Sequence, residues 1–239
     1  MLTLYVAGPY FGLPDPSPFV SKAEILLKIS GAPYRTAKAN RGKAPKGKIP
    51  YIEDDGQLLG DSTFIRWRLE DKYGAEFDKG LSEADKATAW AYEKLCEDHL
   101  YWALVDLRWT NQSNFAKGPR QFFNEAPAPI RPFIVAMVKR AVKTKLAGHG
   151  MGRHSKAEIE RLGIRDIDAV AAFLGDKPWL MGEAPCGADA SVWSMIAGIL
   201  CPHFDTPLRT TAERHPNLVA YRDRGMKAWY PEFAAKAAV

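Results

Sequence analysis

The sequence predicts a chain in two parts, an α/β domain with a βαβ-ββα layout followed by an all-helical C-terminal domain. Three observations carry that prediction. In the first 75 residues, short runs of β-forming residues alternate with stretches of helical periodicity. Pro50 stands immediately before one of the short apolar runs, and the turn Asp54-Asp55-Gly56 follows it. From Ser82 onward every periodic stretch has the spacing of a helix. The expected boundaries are 1–75 for the α/β domain, 76–81 for a linker and 82–239 for the helical domain.

Taken in order, residues 2–7 are rich in β-formers and read as a buried strand. Gly8 to Pro16 is crowded with Gly and Pro and must be a loop. Ser17 is a good N-cap, and Pro18 sits at the first helical position, where its missing N–H costs nothing. Phe19, Ala23, Leu26 and Leu27 give the core face of this helix; Gly31 closes it and Pro33 prevents its return. Tyr34 to Ala39 is a second strand, parallel to the first in a βαβ unit. Asn40 to Gly47 is a basic linker with at most one short helical turn. Ile49–Glu53 and Gln57–Leu59 form a hairpin, and a helix runs from Ser62 through Phe64, Ile65, Trp67, Leu69 and Tyr73 to Gly74.

In the second part, Ser82 to Asp85 is a capping pattern ahead of a long helix with Trp90, Leu95, Leu100, Leu104 and Leu107. Four prolines mark a break over residues 117–132, and Phe133 to Leu146 is the next helix. Ser155 to Glu158 is a cleaner capping box, opening a helix with Ile159, Leu162, Ile167, Val170 and Phe173. Ala188 to Leu200 is nearly all apolar and small, so this helix should be buried on all sides. Pro216 to Tyr230 is expected to be the last helix, before the Ala-rich tail Ala234 to Val239.

Composition excludes several classes. The 239 residues are 46% hydrophobic and 26% charged, ordinary values for a globular protein. No apolar run approaches the roughly 18 residues of a membrane helix, and the N-terminus lacks the basic region of a signal peptide. Cys96, Cys186 and Cys201 are widely spaced with no CxxC, which suggests neither a disulfide framework nor a thiolate metal site. A reducing cytoplasm is the expected compartment. His149 and His154 flank Gly-Met-Gly-Arg with no ligand-spaced carboxylate or thiol, so they read as loop residues and no metal is expected. The net charge of +5 concentrates in Lys38, Arg41, Lys43, Lys46 and Lys48, and again in Lys139, Arg140, Lys143 and Lys145. Poor aromatic interleaving argues against a nucleic-acid surface; a solvated basic face that attracts small anions fits better.

The residues around Pro50 read as a place to hold a small peptide. A cis X-Pro bond lets a tight turn feed a strand and leaves the N–H and C=O of Ile49 free to pair with an extended ligand. Asp61 and Ser62 open a helix whose first N–H groups suit a carboxylate. Plainer readings stand beside these: Ser17 and Asp61-Ser62 as simple caps, Pro50 as an ordinary turn proline, Lys48 as a solvated lysine. Trp102 and Trp109, seven residues apart on a long helix, equally suit core or dimer contacts.

Together these motifs resemble the glutathione transferase superfamily over nearly the whole chain. The resemblance implies a thioredoxin-like N-terminal domain and the family's helical C-terminal domain. Ile49-Pro50 matches the family's cis-proline, which pairs with the cysteinyl backbone of glutathione. Asp61-Ser62 matches the acidic-Ser pair that holds the γ-glutamyl end. Pro185-Cys186-Gly187-Ala188-Asp189 matches the buried N-capping motif, with Cys186 where Ser or Thr usually stands, so a weaker cap is expected. Ser17 to Lys22 and Gly182 to Asp189 look most like the branch containing metaxins and the failed-axon-connections proteins.

The Ser17 position carries a catalytic cysteine in omega-like members, and redox relatives have Cys-Pro-Phe-Cys there. Ser17 and Val20 replace both thiols, and a serine cannot form the mixed disulfide of thiol-transferase chemistry. The resemblance therefore implies a serine-type transferase with glutathione as co-substrate. Ser17 would stabilise its thiolate, with Tyr10 and, less aptly, Tyr5 as rival hydroxyl donors. Lys48 would meet a glutathione carboxylate, and Phe11, Trp102 and Trp109 would line a pocket for a small electrophile. A cytoplasmic homodimer is implied, with no nucleic-acid or membrane partner. The runner-up is a non-catalytic binding or assembly module. A metaxin-like membrane role would want a hydrophobic anchor, which the end Phe233 to Val239 does not resemble. Glutathione-dependent isomerase or dehalogenase chemistry is a third reading of the same site.

Overall fold

The structure is a computed structural model that describes residues 1–40 and 42–236. Arg41 of the first basic stretch and residues 237–239 of the Ala-rich tail lie outside the described residues. Strands β1 (Leu2–Val6), β2 (Tyr34–Lys38), β3 (Tyr51–Asp54) and β4 (Gln57–Gly60) form one sheet in the order β2-β1-β3-β4. β1 and β2 are parallel, with Leu2 opposite Tyr34 and Val6 opposite Lys38. β3 is antiparallel to both its neighbours, placing Tyr5 opposite Tyr51 and Tyr51 opposite Gly60. This register fixes the location of everything that follows. β1, β2 and β4 all end at the sheet edge where β3 begins.

Helices α1 (Pro18–Ser30) and α2 (Ser62–Tyr73) both start from that edge. Each ends on a glycine in the left-handed region, Gly31 at φ 68° and Gly74 at φ 66°, where a side chain would be strained. The buried surface of α1 is wider than a single apolar stripe, because the helix packs on the sheet side and also against the later helix α8 (Gly187–Ile199). Val20, Ala23, Ile25, Leu26 and Leu27 are buried, and so is Lys22. Phe19, expected in the core, is only half-buried and meets Tyr101 edge-on at 4.8 Å.

The expected long helix after Ser82 is a rod of three pieces: α3 (Glu83–Lys94), a π-helical turn over Leu95–Leu100, and α4 (Tyr101–Trp109). Ser82 and Asp85 close the capping box at its start. Trp90, expected on the apolar face, is 43% exposed. Then come α5 (Gln112–Lys117), a 3-10 turn over Pro119–Phe123, α6 (Arg131–His149) and α7 (Lys156–Leu174). After α8 follow α9 (Pro207–Glu213), α10 (Pro216–Trp229) and α11 (Pro231–Lys236). The short helices α5, α9 and α11 are too brief to carry a periodic signal. His149, expected in a loop, is the last residue of α6. All thirteen residues of α8 are buried, as its composition requires. None of the described helices is long and apolar enough to cross a membrane.

What joins the α/β layer to the helices is a buried charge cluster. Lys22 Nζ donates to Glu93 Oε1 at 2.9 Å, to Glu97 Oε1 and to Thr63 Oγ1 at 3.3 Å. Arg66 on α2 pairs with Glu70, Glu93 and Asp78, and Asp78 Oδ1 also accepts the Gly187 N–H at 3.1 Å. Ser191 Oγ donates to Glu97 Oε1 at 2.7 Å. Burial alone would raise the Glu97 carboxyl, but Lys22 and Lys94 overcome it and hold the group below its usual value. Thus α1, α2, the segment around Asp78, the long rod and α8 share one network. Removing one member of a buried ion pair typically costs about 3–5 kcal/mol, because the other charges stay buried and uncompensated. Lys22→Met is expected to lower the unfolding free energy by about that amount in urea, and adding Glu97→Gln should return part of it. A Lys22→Met variant as stable as the parent would refute this role for the cluster.

Candidate functional site

The sheet edge described above collects the residues that the sequence singles out. The Ile49–Pro50 peptide bond is cis. Neither backbone group of Ile49 has a partner among the described residues. Beside it, Pro50 C=O accepts the Asp61 N–H at 3.2 Å, which pins the start of α2 to the proline turn. Asp61 takes an unusual backbone conformation for a non-glycine residue, φ 91°, while its Oδ1 caps α2 by accepting the Thr63 N–H at 2.9 Å. The other oxygen, Oδ2, lies 3.9 Å from Lys46 Nζ, which also sits over the Phe64 ring. Lys46 is thus the cation beside Asp61. Lys48, expected to meet a glutathione carboxylate, is exposed and makes no ion pair among the described residues. Ser62 is buried, and its hydroxyl has no partner among them.

Ser17 reaches the same edge from the other side. Asp15 is the knot of its loop: Oδ2 accepts the N–H groups of Ala7 and Gly8 at 2.9 and 3.0 Å, and Oδ1 accepts the Ser17 N–H at 2.9 Å. The Ser17 side chain makes no capping bond. Its carbonyl takes the Val20 and Ser21 N–H groups, so Ser17 begins α1 with its backbone and leaves the hydroxyl uncommitted. This corrects the reading of Ser17 as a side-chain cap. The starts of α1 and α2 are tied one turn in by the Lys22–Thr63 bond. Two helix N-termini meeting at one edge favour an anion there.

Of the rival hydroxyls, Tyr5 is committed elsewhere. It donates to Glu53 Oε2 at 2.7 Å and stacks on Tyr51, and the hydrogen bond to Glu53 raises its pKa. Tyr10 lies in a tight turn with Leu13, and its hydroxyl has no partner among the described residues. Phe11, at φ 60°, packs against Phe122, His203 and Phe204 with ring centres 5.7, 4.7 and 5.2 Å away. Trp109 meets the same Phe122 at 6.4 Å. Trp102 instead stacks on His149 at 4.5 Å, so the structure brings Phe11 and Trp109 into one cluster and sets Trp102 apart. Sequence reasoning missed Asp15, Phe122, His203 and Phe204. Only Asp15 carried a local signal, an acid between two prolines just before a helix start.

The cap of α8 is well satisfied. The Asp189 carboxylate accepts the N–H groups of Leu180 and Cys186, each at 2.8 Å, and the Tyr221 hydroxyl at 2.6 Å. A surface groove of about 690 Å³ along α9, lined by Asp205, Arg209 and Arg214, contains none of the residues above. It is wide open to solvent, and Asp205 pairs both with Arg209 inside it and with Lys117 beyond it. Among the described residues no group of three His, Cys, Asp or Glu is placed to hold a metal ion.

The family model for the glutathione S-transferase N-terminal domain matches residues 18–114, and that for the C-terminal domain matches residues 163–225. The isoprene-epoxide–glutathione S-transferase of Rhodococcus sp. (strain AD45) is 31% identical, over 96% of this chain and 99% of that protein. Failed axon connections of Drosophila melanogaster is 29% identical over 92% of this chain and 56% of its own length. Metaxin-1 of Homo sapiens is 26% identical over 85% of this chain and 46% of its own. The chain thus spans about half the length of these last two. In fold, the beta-etherase LigF of Sphingobium sp. strain SYK-6 superposes with a TM-score of 0.71 at 17% identity, over 98% of this chain and 99% of that one.

Asp15 gives this site a pH dependence. Burial pushes its carboxyl up to about 7, outweighing the three N–H donors that hold it down. The unfolded value is near 4, so the native state binds the extra proton between about pH 4 and 7. The stability this group contributes is therefore full below about pH 4 and is lost as pH rises through about 7. The unfolding free energy of the parent relative to Asp15→Asn is expected to fall from pH 5 to pH 8, by about two of the roughly three units of pKa difference, since the change runs only from pH 5 to about 7 in that window. A difference that does not vary with pH would count against a carboxyl titrating in this range.

Proposed function

Because the chain belongs to the glutathione S-transferase superfamily, we propose that it binds glutathione, stabilises its thiolate and transfers the sulfur to a small electrophile. The observation that carries this reading is the uncommitted Ser17 hydroxyl at the start of α1, on the same edge as the Ile49–Pro50 turn and the start of α2. Residues 1–75 act as the glutathione-binding domain and 82–239 as the helical domain. The free N–H and C=O of Ile49 pair with the cysteinyl backbone. Asp61 Oδ2 takes the γ-glutamyl ammonium, and the Ser62 hydroxyl with the first N–H groups of α2 takes its carboxylate. Lys46 and Lys48 add positive charge nearby.

A free thiol has a pKa of roughly 8.5, so only a few per cent is ionised at neutral pH. Ser17 Oγ donates to the sulfur, and the positive end of α1 adds to it. A hydrogen bond to a charged group contributes about 1.5–3 kcal/mol, which lowers the thiol pKa by roughly one to two units. The thiolate then attacks an electrophilic carbon held against Phe11, Phe122 and Trp109; the C–S bond forms as that carbon's bond to its leaving group breaks, or, in an epoxide, as the C–O bond opens and the oxygen takes up a proton from water. Small epoxides are the first class to try, given the relative named for isoprene epoxide. A cytoplasmic two-fold homodimer completes the reading, and the exposed rings of Phe64, Trp67 and Trp90 offer it a surface.

The second reading, a non-catalytic binding or assembly module, is favoured by the likeness to failed axon connections and metaxin-1. Calorimetric titration with glutathione separates the two. The parent is expected to bind, Asp61→Ala to lose binding, and Ser17→Ala to keep binding while losing the ultraviolet absorbance of the bound thiolate. The last change should also lower the conjugation rate by roughly 10- to 150-fold. If the parent does not bind glutathione, the transferase reading fails and the module reading replaces it.

A further inference from the structure

Arg108 is a buried cation with almost no company. It lies on α4 with 7% of its surface exposed, and no carboxylate pairs with it among the described residues. Nη2 donates to the Gly198 carbonyl at 2.6 Å, at the C-terminal end of α8, and Cζ sits 4.4 Å from the centre of the Phe204 ring. Nε is buried with no partner, and among the described residues no other buried side-chain nitrogen or oxygen is left so. A guanidinium has five N–H donors, and burying its charge without a counter-charge costs several kcal/mol. The negative end of α8 and the Phe204 ring offset part of this. Holding a helix end needs only one or two of those donors and gives no reason for a buried, unpaired Nε.

Its position gives the rest of the donors a use. Tyr101 and Arg108 lie two turns apart on one face of α4, roughly 10 Å along the helix. Tyr101 packs against Phe19, two residues beyond Ser17. The Phe204 ring beneath the guanidinium touches Phe11, whose carbonyl accepts the Cys201 thiol at 3.3 Å. Arg108 therefore lies beneath the ring cluster that Phe11 joins, on the helix whose Tyr101 meets Phe19 near the start of α1. Burial lowers its pKa to about 10, which leaves it cationic at neutral pH.

We propose that Arg108 binds a carboxylate carried by the electrophilic substrate, and so selects small electrophiles with an apolar body and an anionic tail. The carboxylate takes no part in bond-making; it fixes the electrophilic carbon relative to the sulfur. This inference rests on the transferase reading for the identity of the thiol, but not for the anion site itself.

The test uses a chloronitrobenzoate and the chloronitrobenzamide of the same substitution pattern, which share ring, leaving group and shape. Binding of each is measured by calorimetry without glutathione, then conjugation is measured with it. The parent is expected to bind the benzoate about tenfold or more tightly than the amide. Arg108→Met should erase that preference and Arg108→Lys keep part of it, with circular dichroism melting to verify the fold. If Arg108→Met does not fold, the parent and Arg108→Lys still decide the matter by their benzoate-to-amide ratios. Equal binding of both probes by the parent, or a preference that survives in Arg108→Met, would overturn the proposal. Benzoate preference without glutathione binding would sink the transferase reading and leave the anion site standing; glutathione turnover with no preference would do the reverse.

Discussion

The rest of the molecule hangs on the buried ammonium of Lys22. One lysine on α1 reaches a hydroxyl on α2 and two carboxylates on the long rod of α3, its π-helical turn and α4. Across the whole cluster three cations, Lys22, Arg66 and Lys94, face four carboxylates, Glu70, Asp78, Glu93 and Glu97. Such a cluster is tolerated only where every charge has partners, so it admits one relative placement of the α/β layer and the helices. An apolar interface of the same size would be less particular about register. Because the Lys22–Thr63 bond also sets the starts of α1 and α2 side by side, the cluster that docks the two halves also shapes the edge where a ligand would sit.

At that edge the chemistry comes mostly from backbone. The Ile49 N–H and C=O, the carbonyl of Pro50 and the first N–H groups of two helices all arrive there because of strand direction, not because of any particular side chain. The side chains that gather there are Ser17, Asp61 and Ser62, with Asp15 knotting the loop behind them. Across the edge, the loop after β1 meets residues 118–123 and 198–204 in a cluster of aromatic rings above Arg108.

The C-terminal segment closes the structure back onto its beginning. Lys28 donates to the Trp229 carbonyl and lies over the Tyr230 ring, and the Tyr230 hydroxyl meets Glu24 at 3.1 Å. Together with α8, these contacts hold α1 against the helical part of the chain.

The sequence by itself determined the elements that rest on local rules. The capping boxes at Ser82 and Ser155, the glycine stops at Gly31 and Gly74, the turn before β3 and the apolar run of α8 are each dictated by neighbours in the chain. It also marked the Ile49–Pro50 turn and the helix start at Asp61-Ser62, because a cis proline and a helix cap are local features. Only the tertiary structure decided which charges are buried and which rings meet. Lys22 reads as a solvated helix lysine until Glu93 and Glu97 are brought to it from 71 and 75 residues away. Phe11, Phe122 and Phe204 share no periodicity and come together only when three separate segments fold against one another. The pairing of Lys46 with Asp61 and the stacking of Trp102 on His149 are set in the same way, by packing between separate segments. Hydrogen bonds within a turn are set by spacing along the chain, whereas the environment of a charge or a ring is set by what the rest of the chain packs around it.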